Sequence, residues 1–249
     1  MIVALLIGRS GSKGLKSKNI LKINKKFICE YPLIAAKNSK LIERIYVSTD
    51  CKTIFRVSKK YGAIQIKRPK FLADSKALAE DVYKHAYENI KASLKKEKKK
   101  ITLLILLMAN AATITTKIID RGIRILTKNK KFDSAVSTSI YNMWSPLRAR
   151  KLKKDGTLVP FVPFKYFGNV SKLNCDRDSQ GDVYYADMAV SVVRPKCLEN
   201  IDKGLLPQKW MGKKIASIFS EAGFDLDFEW QIPQLKYWIN KYGKKIYKI

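Results

Sequence analysis

The sequence predicts an α/β protein in which a mostly parallel sheet is covered by helices on both faces. Over the first 140 residues, runs typical of strands alternate with runs typical of helices, which is the pattern of a three-layer α/β/α sheet. The opening run, Ile2 to Ile7, is apolar throughout and ends at Gly8, as expected of a central strand buried on both faces. With 249 residues and 46% hydrophobic content, one large core is expected. We therefore predict a single domain spanning residues 1–249.

The elements that follow are predicted from periodicity and from capping residues. Helices and strands are expected to alternate, beginning with a helix, at residues 32–38, 44–49, 52–61, 63–67, 79–94, 101–108, 116–126 and 134–140. Asp50 is expected to cap the helix over 52–61, and Thr116 the helix over 116–126, because these residue types accept hydrogen bonds from the free N–H groups of a first turn.

The pattern changes after Tyr141. Asp155-Gly156 is a hairpin signal, and several prolines and glycines interrupt the segment as far as residue 183. We therefore predict an insertion over about 141–185, followed by a strand over 184–193 and a final amphipathic helix over 230–242.

The net charge of +29, from 50 Lys and Arg against 21 Asp and Glu, allows either a polyanionic partner or a solvated basic surface. The excess is spread along the chain, whereas a nucleic-acid footprint concentrates its charge on one face. We therefore expect no nucleic-acid partner. A basic nucleic-acid-binding module remains as an alternative.

Cysteine and histidine usage excludes several kinds of site. The four cysteines form no C-x-x-C pair, and His85, the one histidine, lies in a predicted helix. A zinc site, a disulfide framework and a histidine triad are therefore not expected. The sequence shows no signal-peptide pattern and no run of the ~20 apolar residues that a bilayer requires. We expect a cytoplasmic protein with no membrane partner.

The first candidate site is the turn that follows the opening strand. Small residues and cations are combined there: Gly8, Gly11 and Gly14 with Arg9, Lys13 and Lys18. Such a turn brings backbone N–H groups close to a ligand and adds positive charge, as phosphate sites require. The spacing matches neither a P-loop nor a dinucleotide fingerprint. A flexible surface connection is the alternative, but ligands of open α/β sheets bind at the carboxyl ends of strands.

Four motifs in order along the chain point to a known family. The first is R-x-x-S-K-x-x-x-x-K-N, formed by Arg9, Ser12, Lys13, Lys18 and Asn19; then come Val47-Ser48-Thr49-Asp50, Arg68-Pro69 with Leu72-Ala73-Asp74, and Asp225-Leu226-Asp227. Together they resemble the acylneuraminate cytidylyltransferases, which include CMP-sialic acid synthetases and are related to CMP-3-deoxyoctulosonate synthetases. The likeness implies a nucleotide-diphospho-sugar transferase-like, Rossmann-like fold.

The resemblance also implies a reaction. CTP and a nonulosonic or other 3-deoxy-2-ulosonic acid would form a CMP-sugar and pyrophosphate. Arg9 and Lys13 would hold the triphosphate, Asn19 would lie near the ribose, and Arg68 would contact the cytosine. The full nucleotide-binding set carried over is Gly8, Arg9, Ser10, Gly11, Ser12, Lys13, Lys18, Asn19, Arg68 and Ala77. A glycosyltransferase, or a nucleotidyltransferase using another nucleotide on the same fold, remains as an alternative.

Asp225 and Asp227 are the candidate metal ligands and, with Arg9 and Lys13, the candidate catalytic residues. Residues two apart on an extended segment project to one face, and two carboxylates so placed repel unless a cation lies between them. Mg²⁺ prefers one or two carboxylates together with phosphate oxygens. An ordinary acidic surface turn is the alternative.

The sequence departs from the family where the sugar would lie. Met108 stands where the family carries glutamine, and Asn110 is predicted to supply a replacement amide. In the family the insertion reaches into a second subunit, which implies a homodimer. The insertion's candidate sugar ligands are Arg148, Arg150, Arg177 and Gln180, since arginine suits a carboxylate. The alternative is that the arginines pair with the neighbouring aspartates and simply hold the loop.

Overall fold

The computed structural model describes residues 1–11, 14–74, 76–176 and 180–247. The strands, in chain order, are β1 (Ile2–Ile7), β2 (Lys22–Ile23), β3 (Lys26–Phe27), β4 (Arg44–Thr49), β5 (Ile64–Lys67), β6 (Leu103–Met108), β7 (Ser134–Ile140), β8 (Arg150–Leu152), β9 (Leu158–Pro160), β10 (Tyr184–Val193) and β11 (Ile215–Phe219). The α-helices are α1 (Glu30–Lys37), α2 (Lys52–Lys60), α3 (Ala79–Lys96), α4 (Thr116–Lys128), α5 (Pro195–Glu199), α6 (Ile232–Trp238) and α7 (Lys244–Tyr247).

Seven strands form the central sheet in the order β11-β7-β10-β6-β1-β4-β5. Every pairing is parallel except those of β10, which runs antiparallel to both β6 and β7. After β1 the chain adds β4 and β5 on one side and then crosses to add β6 on the other. The carboxyl ends of β1 and β6 therefore form a switch point, the place where open α/β sheets bind ligands.

The two faces of β1 are buried under different helices, which confirms the predicted three-layer architecture. Ala4 and Leu6 belong to a core shared with α1, α2 and α4. Val3 and Leu5 belong to the core on the other face, shared with α3 and α5. The prediction that this strand is central and buried on both sides is also confirmed, since Val3 to Leu6 are fully buried.

Both predicted helix caps are wrong. Helix α2 has Cys51 at its N-cap position with no side-chain cap, because the Asp50 carboxylate instead accepts hydrogen bonds from the backbone N–H and the hydroxyl of Ser10. Helix α4 is capped by Thr115, whose hydroxyl accepts from the N–H of Ile118 at 3.2 Å. The Thr116 hydroxyl instead donates to a carbonyl of α1.

The end of the chain is less regular than the single helix predicted over 230–242. A 3-10 turn (Glu229–Gln231) leads into α6, a π-helical turn (Ile239–Gly243) follows, and α7 completes the segment. Strand β11 was not predicted at all. It is five residues long, and its exposed and buried positions alternate as in an edge strand. This alternation with a period of two residues is the sequence pattern from which the strand could have been predicted.

The described residues of the predicted insertion form 3-10 turns and the β8–β9 hairpin. Gly156 has φ +82° at the hairpin turn, as the Asp-Gly signal predicts. Several large apolar side chains of the insertion are exposed: Leu152, Leu158, Phe161 and Tyr166.

Gly122 lets α4 approach the sheet closely. A Cβ at this position would lie 2.5 Å from Ile218 Cδ1 and 2.8 Å from Val192 Cγ2. We expect Gly122→Val to lower the free energy of unfolding in urea by about 1–3 kcal/mol, because the extra carbons overpack a filled site. Arg121→Val, at an exposed position on the same helix, controls for the helix propensity of valine. Equal losses in the two variants would contradict the close-packing argument.

Candidate functional site

A cleft of about 390 Å³ opens at the switch point between β1 and β6. Its walls come from the turn after β1, the residues after β5, the start of α3, the end of β6 and the segment that follows β11. The lining includes Gly8, Arg9, Gly14, Lys18, Asn19, Arg68, Ala77, Met108, Asn110, Asp225 and Asp227.

The turn after β1 is held against the sheet by its own polar groups. Buried Asn19 donates from Nδ2 to the carbonyl of Arg9 at 2.9 Å, so the two ends of the turn are tied together. A Cβ on Gly8 would lie 2.6 Å from the Cβ of Ala109, so only glycine fits this close approach of β1 to the residue after β6.

The structure brings most of the predicted nucleotide-binding residues to the cleft, but not all of them. Gly8, Arg9, Lys18, Asn19, Arg68 and Ala77 line it. Ser10 is bonded to Asp50, and neither Ser10 nor Gly11 is a lining residue. Ser12 and Lys13 lie outside the described residues, so their predicted roles stay predictions.

The acidic segment after β11 lies directly against the turn. The N–H of Leu15 donates to the carbonyl of Asp227 at 3.1 Å, and a Cβ on Gly14 would lie 2.8 Å from the same oxygen. The Lys18 ammonium also contacts the Asp227 carboxylate. The glycine predicted to let a ligand approach therefore lets this acidic segment approach instead.

Asp225 and Asp227 both face the cleft. Burial raises the pKa of Asp225, and the neighbouring Asp227 carboxylate raises that pKa further, while Lys18 acts in the opposite direction. Burial and the neighbouring carboxylate both disfavour a negative charge on the Asp225 side chain. A cation bound beside the pair would remove that cost.

Asn110, predicted as a sugar ligand, holds this acidic segment. Its Nδ2 donates to the Asp225 Oδ2 at 3.0 Å and to the carbonyl of Leu226 at 3.1 Å. The backbone carbonyl of Asn110 accepts from the N–H of Leu226 at 2.9 Å. One amide hydrogen therefore holds the Asp225 carboxylate and the other holds the backbone of the next residue. This contact joins residues 115 positions apart, and no local pattern could have revealed it.

Arg68 enters the cleft wall from the end of β5. Its guanidinium donates to the hydroxyl of Ser48 at 3.2 Å and also to the carbonyl of Ser48. Burial lowers the pKa of Arg68 to about 10, so this side chain remains cationic at neutral pH. Ser48 is a positioning residue that the sequence reasoning missed, although it lies within the quoted V-S-T-D motif.

Among the insertion residues predicted to contact a sugar, the three that the structure describes do not line the cleft. Arg148 and Arg150 line a separate cavity of about 340 Å³. Arg148 donates to the carbonyl of Cys175 at 2.6 Å, and Arg150 to the carbonyl of Leu147 at 2.8 Å. Gln180 is exposed and lines neither cavity, and Arg177 lies outside the described residues. Both described arginines thus hold the loop through backbone carbonyls, and their pairing with the neighbouring aspartates stays a prediction.

Asp225 and Asp227 fit a Mg²⁺ ion bound to a phosphate substrate, because that ion takes few protein carboxylates and completes its shell with phosphate oxygens and water. A cage of three or more His, Cys, Asp or Glu side chains is absent from the described residues. His85 lies in α3 beside Asn89 and is not a cleft residue. All four cysteines are free.

No helix in the described part of the chain is both long and apolar enough to cross a bilayer.

A doubly wound sheet with a basic turn at its switch point is the architecture of nucleotide-binding α/β proteins. The family profile described as cytidylyltransferase matches residues 3–154, more than half of the 249 residues. The chain belongs to the cytidylyltransferase family.

Curated relatives match parts of the chain. A pseudaminic acid cytidylyltransferase and UDP-2,4-diacetamido-2,4,6-trideoxy-beta-L-altropyranose hydrolase of Helicobacter pylori is 32% identical over 152 residues, which are 61% of this chain and 28% of that protein. A CMP-N,N'-diacetyllegionaminic acid synthase of Campylobacter jejuni is 46% identical over 76 residues, which are 30% of this chain and 32% of that protein. The matches thus span about a third or less of these two relatives.

Solved structures match over nearly the whole chain. A CMP:2-keto-3-deoxy-manno-octonic acid synthetase complexed with CTP has a TM-score of 0.64 and 14% identity, covering 96% of this chain and 98% of that one. A 4-diphosphocytidyl-2C-methyl-D-erythritol synthase from Anaerococcus prevotii has a TM-score of 0.63 and 12% identity, covering 96% of each chain. At these identities the likeness shows a shared fold.

Proposed function

We propose that this protein transfers the cytidylyl group of CTP to a nonulosonic or other 3-deoxy-2-ulosonic acid, giving a CMP-sugar and pyrophosphate. The observation that carries the proposal is that the basic turn after β1 and the acidic pair after β11 face one cleft. The first supplies cations and N–H groups for a triphosphate, and the second supplies carboxylates for its divalent ion. The names of two matched relatives state that their substrates are pseudaminic acid and N,N'-diacetyllegionaminic acid, which belong to this class of sugars.

The chemistry requires mainly electrostatic stabilisation. The oxygen of the anomeric hydroxyl forms a bond to the α-phosphorus, the α–β phosphoanhydride bond breaks, and pyrophosphate leaves with the bonding pair. The proton of that hydroxyl is lost to solvent. Negative charge grows on the phosphate oxygens as this happens. Arg9 and Lys18 on the cleft wall are placed to stabilise that charge, with Arg68 as a further buried cation.

Asp225 and Asp227 would hold Mg²⁺, which would neutralise charge on the triphosphate and favour ionisation of the attacking hydroxyl. The role of Asn110 is to fix the orientation of the Asp225 carboxylate. Lys18, already in contact with Asp227, compensates part of the charge of the pair.

The assay is pyrophosphate release by the full chain with CTP, Mg²⁺ and a panel of acidic ulosonic sugars. Release that requires CTP and such a sugar supports the proposal. Equal release with UTP or GTP, or transfer from a finished sugar nucleotide, would support the alternative chemistry on this fold. Steeply salt-dependent nucleic-acid binding without turnover would support the basic binding module.

A homodimer forms part of the same proposal. The apolar side chains exposed on the insertion support it, because an exposed apolar patch is typical of an interaction surface. Sedimentation of the chain at several concentrations measures its oligomeric state. A monomer at every concentration would contradict this part of the proposal.

A cytoplasmic location stays a prediction.

Asn110→Ala is expected to weaken metal binding more than it weakens the fold. Residues that orient a metal ligand typically contribute 10–100-fold to metal affinity, so we expect the Mg²⁺ concentration for half-maximal thermal stabilisation in the presence of CTP to rise about tenfold. Thr113→Val is the matched control. The Thr113 hydroxyl holds Phe224, the residue before Asp225, through two 2.9 Å hydrogen bonds to its backbone and makes no hydrogen bond to either carboxylate. Equal metal titrations in the two variants would remove Asn110 from this role.

A further inference from the structure

Strand β10 contains a bulge in its pairing with β7. The register between the two strands shifts between Ala186 and Ser191. Within the bulge, Met188 has a φ of +62°, a left-handed conformation that is disfavoured for any residue with a Cβ. Such strain persists only where the surrounding structure holds it, and bulges redirect side chains next to active sites. The bulge therefore directs attention to the residue beside Met188, Asp187.

The Asp187 side chain is buried and fully engaged in hydrogen bonds. Asp187 is 4% exposed, and its Oδ1 accepts from the Ser137 hydroxyl and from the N–H of Ala189, the latter at 3.1 Å. Ser137 and Ser139, which both contact the carboxylate, are completely buried on β7. A buried carboxylate with several donors is held in one orientation, because a move away from them would leave polar groups unsatisfied.

Ser139 connects Asp187 to the backbone that leads to Asp225. The single hydrogen of the Ser139 hydroxyl faces two acceptors, Asp187 Oδ2 at 3.0 Å and the carbonyl of Ser220 at 2.9 Å. The hydroxyl oxygen also accepts from the N–H of Gly223 at 2.8 Å. The backbone before Asp225 is therefore held at two points by one buried serine.

Gly223 packs directly against the Asp187 carboxylate. A Cβ on Gly223 would overlap with Asp187 Oδ2 and would lie 2.8 Å from Asp187 Cγ, so only glycine permits this approach. The Gly223 carbonyl accepts from the Tyr141 hydroxyl at 3.1 Å. Both polar groups of Gly223 are thus bonded, and the backbone has little freedom two residues before Asp225.

The negative charge of Asp187 is not what stabilises this arrangement. Burial raises the pKa of Asp187, and the charge of Asp225 raises it further, whereas the hydrogen bonds from Ser137, Ala189 and Ser139 lower it. A charge at this position would also oppose the charge that Asp225 needs for binding a cation. The contribution of Asp187 therefore lies in its shape and its hydrogen bonds.

We infer that Asp187 is a positioning residue for the metal site, and that it fixes the backbone from which the Asp225 carboxylate enters the cleft. It acts through Ser139 and Gly223. The inference rests on the proposed function, in which Asp225 binds Mg²⁺. Asp187 is not a cleft-lining residue. Asn110 bonds to the Asp225 carboxylate itself, whereas Asp187 holds the backbone that leads to it.

The test titrates Mg²⁺ against the thermal stability of the full chain in the presence of CTP. We expect Asp187→Ala to raise the Mg²⁺ concentration for half-maximal stabilisation about tenfold, since residues that orient a metal ligand contribute about 10–100-fold to metal affinity. In pyrophosphate release, the KM for Mg²⁺ should rise in parallel, and kcat at saturating Mg²⁺ should fall by less than about threefold. The reason is that a high metal concentration restores occupancy of a misdirected site.

Asp187→Asn should restore the Mg²⁺ titration to within about twofold of the unchanged chain. The asparagine oxygen can replace Oδ1 as the acceptor for Ser137 and Ala189, and its amide can donate to the Ser139 hydroxyl. The hydrogen of that hydroxyl is then available to the carbonyl of Ser220. A side chain of the same shape without the charge thus keeps the whole set of contacts.

Asp133→Ala is the matched control. Asp133 immediately precedes β7, at the end of the strand away from the cleft, and its side chain is 15% exposed. Its carboxylate accepts from the N–H groups of Lys213 and Lys214 at 3.0 and 2.9 Å, so it holds a backbone segment as Asp187 does. Its loss should lower the melting temperature and leave the Mg²⁺ titration unchanged.

Ser139→Ala tests the same connection if Asp187→Ala does not fold. It removes the acceptor of the Gly223 N–H and leaves Asp187 bonded to Ser137, so the Mg²⁺ requirement should rise in the same direction. Ser134→Ala is its control, because the Ser134 hydroxyl is buried at the other end of the same strand and donates to the carbonyl of Met211.

Equal Mg²⁺ titrations in Asp187→Ala and Asp133→Ala, or in the two serine variants, would overturn the inference, because Asp187 would then support only the fold. A loss in Asp187→Asn as large as that in Asp187→Ala would also overturn it, since the charge and not the hydrogen bonds would then matter. If the chain turns over no ulosonic acid while the Mg²⁺ titrations follow the expected order, the proposed function fails and the positioning role of Asp187 stands.

Discussion

Asp225→Asn is expected to lower CTP-dependent pyrophosphate release by about a hundredfold, equivalent to about 2.7 kcal/mol of transition-state stabilisation. The change removes one of the two carboxylates that line the cleft. Asparagine has the same shape and retains an oxygen that accepts from Asn110, so the fold should survive. Since burial and Asp227 both oppose the charge of Asp225, the free energy of unfolding should stay equal or rise. A urea titration and a steady-state assay on the same sample measure both effects.

Asp227→Asn should act in the same direction, with a marked rise in the Mg²⁺ requirement. The Asp227 side chain is 46% exposed and contacts Lys18. Its replacement removes one proposed metal ligand, and the Lys18 ammonium that it frees would offset only part of that loss. Asp202→Asn is the control, because the Asp202 side chain is 87% exposed and Asp202 is not a cleft-lining residue. If Asp225→Asn and Asp227→Asn both leave the Mg²⁺ titration unchanged, the metal ligands lie elsewhere.

Arg9→Ala is expected to lower kcat/KM for CTP by about 10²-fold, in line with the removal of one charged donor from a preorganised site. Arg9→Lys should recover part of this loss, since it restores the charge but not the planar fork of donors. Lys13→Ala is expected to cost at least about 2 kcal/mol in the transition state. That expectation rests on the family motif, because Lys13 lies outside the described residues.

Ser10→Ala provides the control within the same turn. Ser10 is bonded to Asp50 and does not line the cleft. The kcat and KM of Ser10→Ala should therefore stay within about twofold of those of the unchanged protein. Normal turnover in Arg9→Ala would remove Arg9 from the mechanism. A loss in Ser10→Ala as large as that in Arg9→Ala would show that the turn responds as a unit, and that the individual role assigned to Arg9 is wrong.

The sequence by itself determined the layers of the fold and the two halves of the candidate site. Strands β1, β4, β7 and β10 have the bounds that hydrophobic patterning predicts, because burial on the faces of a sheet imposes a local pattern on consecutive residues. The motifs around Arg9 and Asp225 were likewise readable as short local signals. Their common position at strand ends follows from the parallel topology.

Tertiary structure alone decided which polar groups pair. Asp50 bonds to Ser10 and not to α2, and Asn110 holds Asp225 across 115 positions of the chain. The walls of the cleft come from the turn after β1, the start of α3, the end of β6 and the segment after β11, which only folding brings together. The physical reason is that a hydrogen bond or a cavity wall depends on distances in space, whereas sequence patterns report only the burial and conformation of neighbouring residues.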